Sequence, residues 1–162
     1  MTRPYAVGGY LQGQSLKDRA VTANLLGIDV RNETGGTLAA GTIVYLSGCS
    51  HTYPRPLISK ADANAAGAKG TWIRPAAMLN NSNARIGKTF HRKGTATSNV
   101  DTSAKAVGDA IYLSATAGTW TKTDPFDAVT NRQKIGVVDV VSATVGEIEF
   151  NVFGERWSVP GS

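Results

Sequence analysis

Apolar and polar residues alternate with period two along much of this chain, which predicts β-strands rather than helices. The clearest case is residues 147–152, which read Glu-Ile-Glu-Phe-Asn-Val. Successive side chains of a strand point to opposite faces, so this pattern indicates one buried and one solvated face. Residues 133–142 form a second apolar run, and the turn at 143–146 between the two runs predicts a closing hairpin.

A repeated strand is the second pattern. Residues 41–48 read Gly-Thr-Ile-Val-Tyr-Leu-Ser-Gly, and the centre of this motif returns at 110–114 as Ala-Ile-Tyr-Leu-Ser. Aligning Tyr45 with Tyr112 gives an offset of 112 − 45 = 67 residues. Apolar residues occupy both the odd and the even positions of the first copy, which predicts a strand buried on two faces. We expect the two copies to occupy related positions in one barrel, close to each other.

The remaining segments complete a β-rich map. Strands are predicted at 25–32, at 57–60 and at 85–94, and a hairpin at 107–123 turns at Ala117 and Gly118. Residues 61–70 allow either a helical turn closed at Gly67 or an exposed loop. With eight to ten strands and no long helix, the fold class predicted is all-β, as a compact antiparallel β-barrel or a β-tulip or sandwich domain.

The first 24 residues follow neither the strand period nor the helix period. They are rich in glycine and contain Pro4, yet they carry large side chains that a purely flexible tail would be expected to lack. A disordered leader and an extended arm that orders on a partner both fit. We predict the arm, with its contacts made by Arg3, Tyr5, Tyr10 and Leu11. The division is then residues 1–24 as arm, 25–152 as β-domain and 153–162 as C-terminal tail.

Charge adds a second candidate contact region. The chain has a net charge of +5 and a charged fraction of only 18%, and its most basic stretch is residues 85–93. That stretch has a single aromatic residue, Phe90, whereas binders of single-stranded nucleic acid combine such charge with several stacking aromatics. We therefore expect contact with an acidic protein surface rather than nucleic acid, through Arg85, Lys88 and Arg92.

The chemistry-bearing residues do not form a catalytic motif. Two histidines and one cysteine are present, and the spacing of His51 from Cys49 matches no common zinc site. The segment at 87–89, Gly-Lys-Thr, resembles the end of a phosphate-binding loop, but Ser82 stands where its upstream glycine is needed. The sequence thus predicts no enzyme, no cofactor and no metal, with His91 as a surface histidine and Cys49 semi-buried at a strand end.

Neither a signal peptide nor a membrane-spanning run of about 18 apolar residues is visible. We expect synthesis in the cytoplasm and no membrane partner.

In order, residues 32–48, 100–123, 133–138 and 146–151 resemble small virion proteins of tailed phages, the capsid decoration or cement proteins. The resemblance covers about residues 25–152 and departs at 71–79, where it implies a more uniformly aliphatic strand ending in acidic residues. Arg74 and the basic run that follows are unusual for it. It implies a β-tulip or barrel that forms a homotrimer on the outer surface of the capsid. The N-terminal arms would reach over neighbours, with the major capsid protein as partner.

Related β-domains also occur in head and tail fibres, which leaves a second interpretation. A receptor-binding or glycan-binding fibre domain would need exposed aromatic side chains on one concave face. The candidates for such a face are Tyr53, Trp72 and Trp120.

Overall fold

The fold is all-β, as the sequence predicts. The computed structural model describes residues 27–66, 68–70, 72–74, 76–126 and 129–156, with the backbone alone for 153–156. These residues form ten strands and no helix, and so contain no helix long and apolar enough to cross a membrane. The strands are β1 (Ile28–Asn32), β2 (Ile43–Cys49), β3 (Pro56–Lys60), β4 (Trp72–Ile73), β5 (Ser82–Ile86), β6 (Thr89–Lys93), β7 (Ala110–Leu113), β8 (Trp120–Thr121), β9 (Gln133–Val140) and β10 (Glu147–Arg156).

The strands form two five-stranded sheets. The first has the order β4-β2-β3-β1-β5 and the second the order β6-β10-β9-β7-β8. Strand pairs are antiparallel except β1 with β3, which is parallel. The first sheet curls, because Ile73 of β4 and Gly87, just after β5, exchange backbone hydrogen bonds of 2.8 and 3.1 Å. Its two edges meet at this point.

Two groups of buried side chains form the core. The larger, which we call the inter-sheet core, consists of Ile43, Ala61, Ala63, Ile73, Val100, Ile111, Leu113, Ile135, Val138, Ile148, Phe150 and Val152. The smaller, the first-sheet core, consists of Val30, Leu38, Val44, Ile58, Met78 and Ile86. Because Ile43 and Val44 belong to different groups, β2 is buried on both faces at its start.

Burial on both faces was also expected further along β2, and there the prediction is wrong. Leu46 is 42% exposed, and Cys49, expected to be semi-buried, is exposed. The short strand β4 pairs only with Ile43 and Val44, so the rest of β2 has β3 as its one neighbour. The end of β2 therefore extends beyond β4, and its side chains there are exposed.

The repeated motif does not give two equivalent strands of one barrel. The first copy is β2 in the first sheet and the second is β7 in the second sheet. Tyr45 packs against the inter-sheet core, whereas in β7 the residues buried there are Ile111 and Leu113, on the other parity from Tyr112. The expected proximity is confirmed, since Ile43 shares that core with Ile111 and its N–H donates to the Gly118 carbonyl at 3.0 Å.

Two further segments differ from their predictions. Residues 85–94 form parts of two strands in different sheets, because the chain leaves the first sheet at Gly87 and the Lys88 carbonyl accepts a 2.8 Å bond from Val152 of β10. The described residues of 61–70 form a loop that is only partly exposed, and Gly67, at which a helical turn was expected to close, lies outside the described residues. Their small side chains at Ala61, Ala63 and Ala68 are buried, which lets this segment pack against the core.

Both predicted hairpins are confirmed. Strand β7 pairs with β8 around Gly118, whose φ of +80° suits glycine, and β9 pairs with β10. In β10 the side chains of Ile148, Phe150 and Val152 are buried, as the alternation requires. This strand continues to Arg156 and so crosses the boundary expected at residue 152.

Candidate functional site

The residues predicted to contact a partner fall into two sets. Arg3, Tyr5, Tyr10 and Leu11 lie outside the described residues, so their role stays a prediction. The three cations of the basic stretch are described, and each contacts a different part of the fold. The exposed Arg85 donates from Nη2 to the Gly27 carbonyl at 3.0 Å.

Lys88 and Arg92 are both half-buried. The Lys88 ammonium lies 3.7 Å from the centre of the Trp72 ring, and its burial lowers the pKa of that lysine. Arg92 shares its strand face with Phe90, and its guanidinium lies over Gly41, where a Cβ atom would be 3.0 Å from Nη1. The three residues are thus not gathered into one basic patch, because Arg92 points toward the interior while Arg85 faces solvent.

The aromatic residues required by the fibre interpretation have different neighbours. Trp72 packs against the first-sheet core, while Trp120 packs against the inter-sheet core with its ring 6.3 Å from that of Phe150. Tyr53 is 43% exposed and lies under the guanidinium of Arg31, 4.0 Å from its ring centre. No ring contact joins these three aromatics within the described part of the chain.

Four exposed valines, which the sequence analysis missed, lie at the end of β9 and in the segments next to it; we call them the valine surface. This valine surface consists of Val107, Val140, Val141 and Val145, which are 69%, 40%, 44% and 46% exposed. Hydrogen bonds to β9 carbonyls hold its segments together: the Gly108 N–H donates to the Val138 carbonyl at 2.8 Å, and the Thr102 hydroxyl donates to the Val140 carbonyl at 2.8 Å. The available signal was the run Val-Val-Asp-Val-Val at 137–141, which has more apolar residues than one buried face can hold.

A second surface group surrounds Arg132. Its guanidinium binds both carboxylate oxygens of Asp124, at 2.7 and 2.5 Å, and lies 5.6 Å from the Tyr112 ring and 5.2 Å from the Phe126 ring. The hydrogen bond from Arg132 lowers the pKa of Asp124, whereas burial, followed by the Asp124 charge, raises the pKa of Tyr112. These contacts tie the segment after β8 to β7.

One group of side chains has the composition of a metal site. This group, the His91 cluster, consists of His91 from β6, Asp139 from β9 and Glu147 from β10, whose ligand atoms all lie within 4.8 Å of one another. His91 Nε2 is 3.3 Å from Asp139 Oδ2 and 3.2 Å from Glu147 Oε2. Lys93 Nζ binds the other Glu147 oxygen at 2.6 Å, and this hydrogen bond is the main cause of the lowered pKa of Glu147.

Sequence reasoning placed His91 on a wet face, which is confirmed, and placed Glu147 and Glu149 on one solvated face. The sequence alone could not show that Asp139 lies beside His91 and Glu147, because the three residues belong to three different strands. The pairing of β6 with β10 and of β10 with β9 creates the cluster.

Comparisons of the chain with protein-family models, with curated proteins and with solved structures find no match. Its function is therefore inferred from its own residues.

Proposed function

We propose that this chain is a structural virion protein, a capsid decoration or cement protein that binds the outer surface of a phage head as a homotrimer and stabilises it. The valine surface is the observation that carries the proposal, together with the motifs that resemble decoration proteins. Four valines that are each at least 40% exposed fit a protein whose task is to contact other proteins.

The valine surface suits the contact between copies. Clustered apolar side chains that stay exposed on a folded domain commonly mark a protein–protein interface. A specific interface buries on the order of 1,000 Å² or more, and each buried apolar Å² contributes about 25 cal/mol. The hydrogen bonds that fix Gly108 and Thr102 keep this surface preformed, so little order has to be gained on assembly.

The arm suits the contact with the major capsid protein. Its aromatic and aliphatic residues, Tyr5, Tyr10 and Leu11, would anchor residues 1–24 on the lattice, with Arg3 and the net charge of +5 favouring an acidic surface. A protein that binds only the mature lattice stabilises that lattice by mass action. The stabilising free energy grows with the logarithm of the ratio of the free protein concentration to its dissociation constant.

Deletion of residues 1–24 tests the proposal. We expect the truncated protein to remain a folded trimer, by sedimentation and circular dichroism, but no longer to decorate purified capsids in a co-sedimentation assay. The full-length chain is the control and should saturate heads in hundreds of copies, measured by gel densitometry. Retained capsid binding after truncation would refute the role of the arm, and a full-length chain that never binds heads would refute the decoration function.

The fibre interpretation makes a different prediction in the same assay. A receptor-binding or glycan-binding domain would be present in few copies per virion and would leave capsid stability unchanged. The separate surroundings of Tyr53, Trp72 and Trp120 give it less support than the valine surface gives to decoration.

A further inference from the structure

We propose that the His91 cluster is a divalent-metal site that binds Zn²⁺ through His91 Nε2 and one oxygen each of Asp139 and Glu147. The spacing of the ligand atoms is the first argument. Zinc bonds of about 2.0–2.2 Å in tetrahedral geometry place ligand atoms roughly 3.3–3.6 Å apart. The observed distances from His91 Nε2, 3.3 Å to Asp139 and 3.2 Å to Glu147, are close to that requirement.

The backbone holds these ligands in place. His91 lies directly opposite Glu149 in the β6–β10 pair, and Glu147 lies opposite Lys93. In the β9–β10 pair Glu147 faces Val140 and Ile148 faces Val138, so Asp139 is an extra residue at a β-bulge. Bulges redirect side chains and are common beside functional sites. Here the bulge accompanies the approach of the Asp139 carboxylate to His91.

The residues beneath the cluster are buried in the core. Val138 and Ile148, the neighbours of Asp139 and Glu147 along their strands, are 1% and 0% exposed and belong to the inter-sheet core. Ligands on paired strands with buried neighbours need little reorganisation, so most of the binding free energy is retained.

Local charge also favours a dication. Asp139 and Glu147 each bring a carboxylate to His91, and the Lys93 ammonium binds Glu147, so two carboxylates meet one lysine. Glu149 lies opposite His91 in the β6–β10 pair. Lys93 binds Oε1 of Glu147, which leaves Oε2, the oxygen nearer His91, for the metal.

The chemistry of the donors selects among metals. An imidazole with two carboxylates suits zinc, whereas Ca²⁺ prefers about six to eight oxygen ligands. The side chains of His91 and Asp139 are 49% and 53% exposed, and an open depression of about 420 Å³ is lined by Thr89, Phe90, His91 and Glu149. A metal bound here would therefore keep a position open to water or to a ligand from solution.

Calorimetric titration of the metal-free, full-length protein with ZnCl₂ tests the site. We expect one zinc ion per chain and no binding of CaCl₂ under the same conditions. His91→Gln should weaken zinc binding by at least the roughly 10–100-fold that even loss of an outer-shell partner costs. The matched control is His51→Gln, the same change at an exposed histidine beside Cys49, and it should leave the affinity unchanged.

Two further measurements keep the result unambiguous. Thermal unfolding without metal should give the same midpoint for His91→Gln and wild type, which shows that the variant folds. The Co²⁺-substituted protein should show a nitrogen–oxygen spectrum without a thiolate charge-transfer band. The proposal is overturned by an absence of zinc binding, by unchanged affinity in His91→Gln, or by loss of binding in His51→Gln with a thiolate band, which would assign the metal to Cys49.

Discussion

At the scale of single residues, the sequence reveals local hydrogen bonds but not their distant partners. Aspartate in a turn commonly bonds the backbone two residues on, and Asp101 Oδ1 accepts from the Ser103 N–H at 2.9 Å. Its other oxygen binds Lys122 Nζ at 2.7 Å, a contact across 21 residues that only the fold creates. Arg74 likewise has its partners in the fold: it is 7% exposed and donates to the Arg85 and Ala77 carbonyls.

The Asp101 contacts predict a pH dependence. The hydrogen bond from Lys122, followed by those from Ser103, lowers the pKa of Asp101 from 3.8 to about 2. Because the pKa is depressed in the folded state, the stabilisation is present above the unfolded pKa and is lost as the pH falls through the folded pKa. We expect a carboxyl NMR titration of Asp101 to have its midpoint near 2 and Lys122→Met to raise this midpoint toward 3.8. Lys105→Met, at a lysine in the same region that does not bind Asp101, is the control, and a wild-type midpoint near 3.8 would contradict the prediction.

At the scale of elements, periodicity identified the strands that have one buried face and short connections. The β7–β8 and β9–β10 hairpins are of this kind, and their turns and alternation are local. The break between β5 and β6 was missed because it depends on Gly87 pairing with Ile73, in a strand far away in sequence. The burial of residues 61–70 could not be predicted from their alanines, because a small residue fits an exposed loop and a packed loop equally well.

The β9–β10 hairpin gives a stability prediction. Gly136 of β9 faces Phe150, and a Cβ added to it would lie 2.6 Å from the Glu149 carbonyl oxygen and 3.1 Å from the Phe150 Cα. Both neighbours are backbone of β10, so the strands would have to separate. We expect Gly136→Ala to lower the free energy of unfolding by about 1–3 kcal/mol, the usual cost of overpacking. Urea denaturation measures this change.

Gly36→Ala is the matched control for that experiment. A Cβ at Gly36 has no atom within 4 Å, so the variant should unfold at the same urea concentration or be more stable by up to about 1 kcal/mol, because alanine restricts the unfolded chain. Equal stability of Gly136→Ala and wild type would show that β9 and β10 tolerate a wider separation than the structure indicates.

At the scale of the whole molecule, the fold class was predictable but the arrangement of the sheets was not. The strand count and the all-β class follow from local patterns that the chain repeats throughout. The division into two sheets depends on which strands pair, and a period-two pattern is the same whichever neighbour a strand has. For that reason the two copies of the motif were expected to be equivalent, although Ile43 and Val44 serve two cores and Ile111 and Leu113 serve one.

The proposed homotrimer gives the last prediction, which compares two equally exposed apolar residues. Val107 is 69% exposed on the valine surface, and Leu79 is 68% exposed next to the first sheet, where its carbonyl accepts from Asn32 Nδ2 at 3.0 Å. Neither substitution by lysine places a charge in the core of the monomer, so both variants should fold. In a trimer that buries the valine surface, however, an unpaired ammonium at residue 107 would lose its hydration, which costs far more than the loss of a valine contact.

We therefore expect Val107→Lys to sediment as a monomer at concentrations where the wild type and Leu79→Lys are trimers, with identical circular dichroism for all three. A trimeric Val107→Lys would mean that copies meet elsewhere and would leave the valine surface to contact the capsid. The reverse result, dissociation by Leu79→Lys alone, would move the subunit contact to the first sheet. Since the two residues match in exposure, a difference between them reports location and not apolar character.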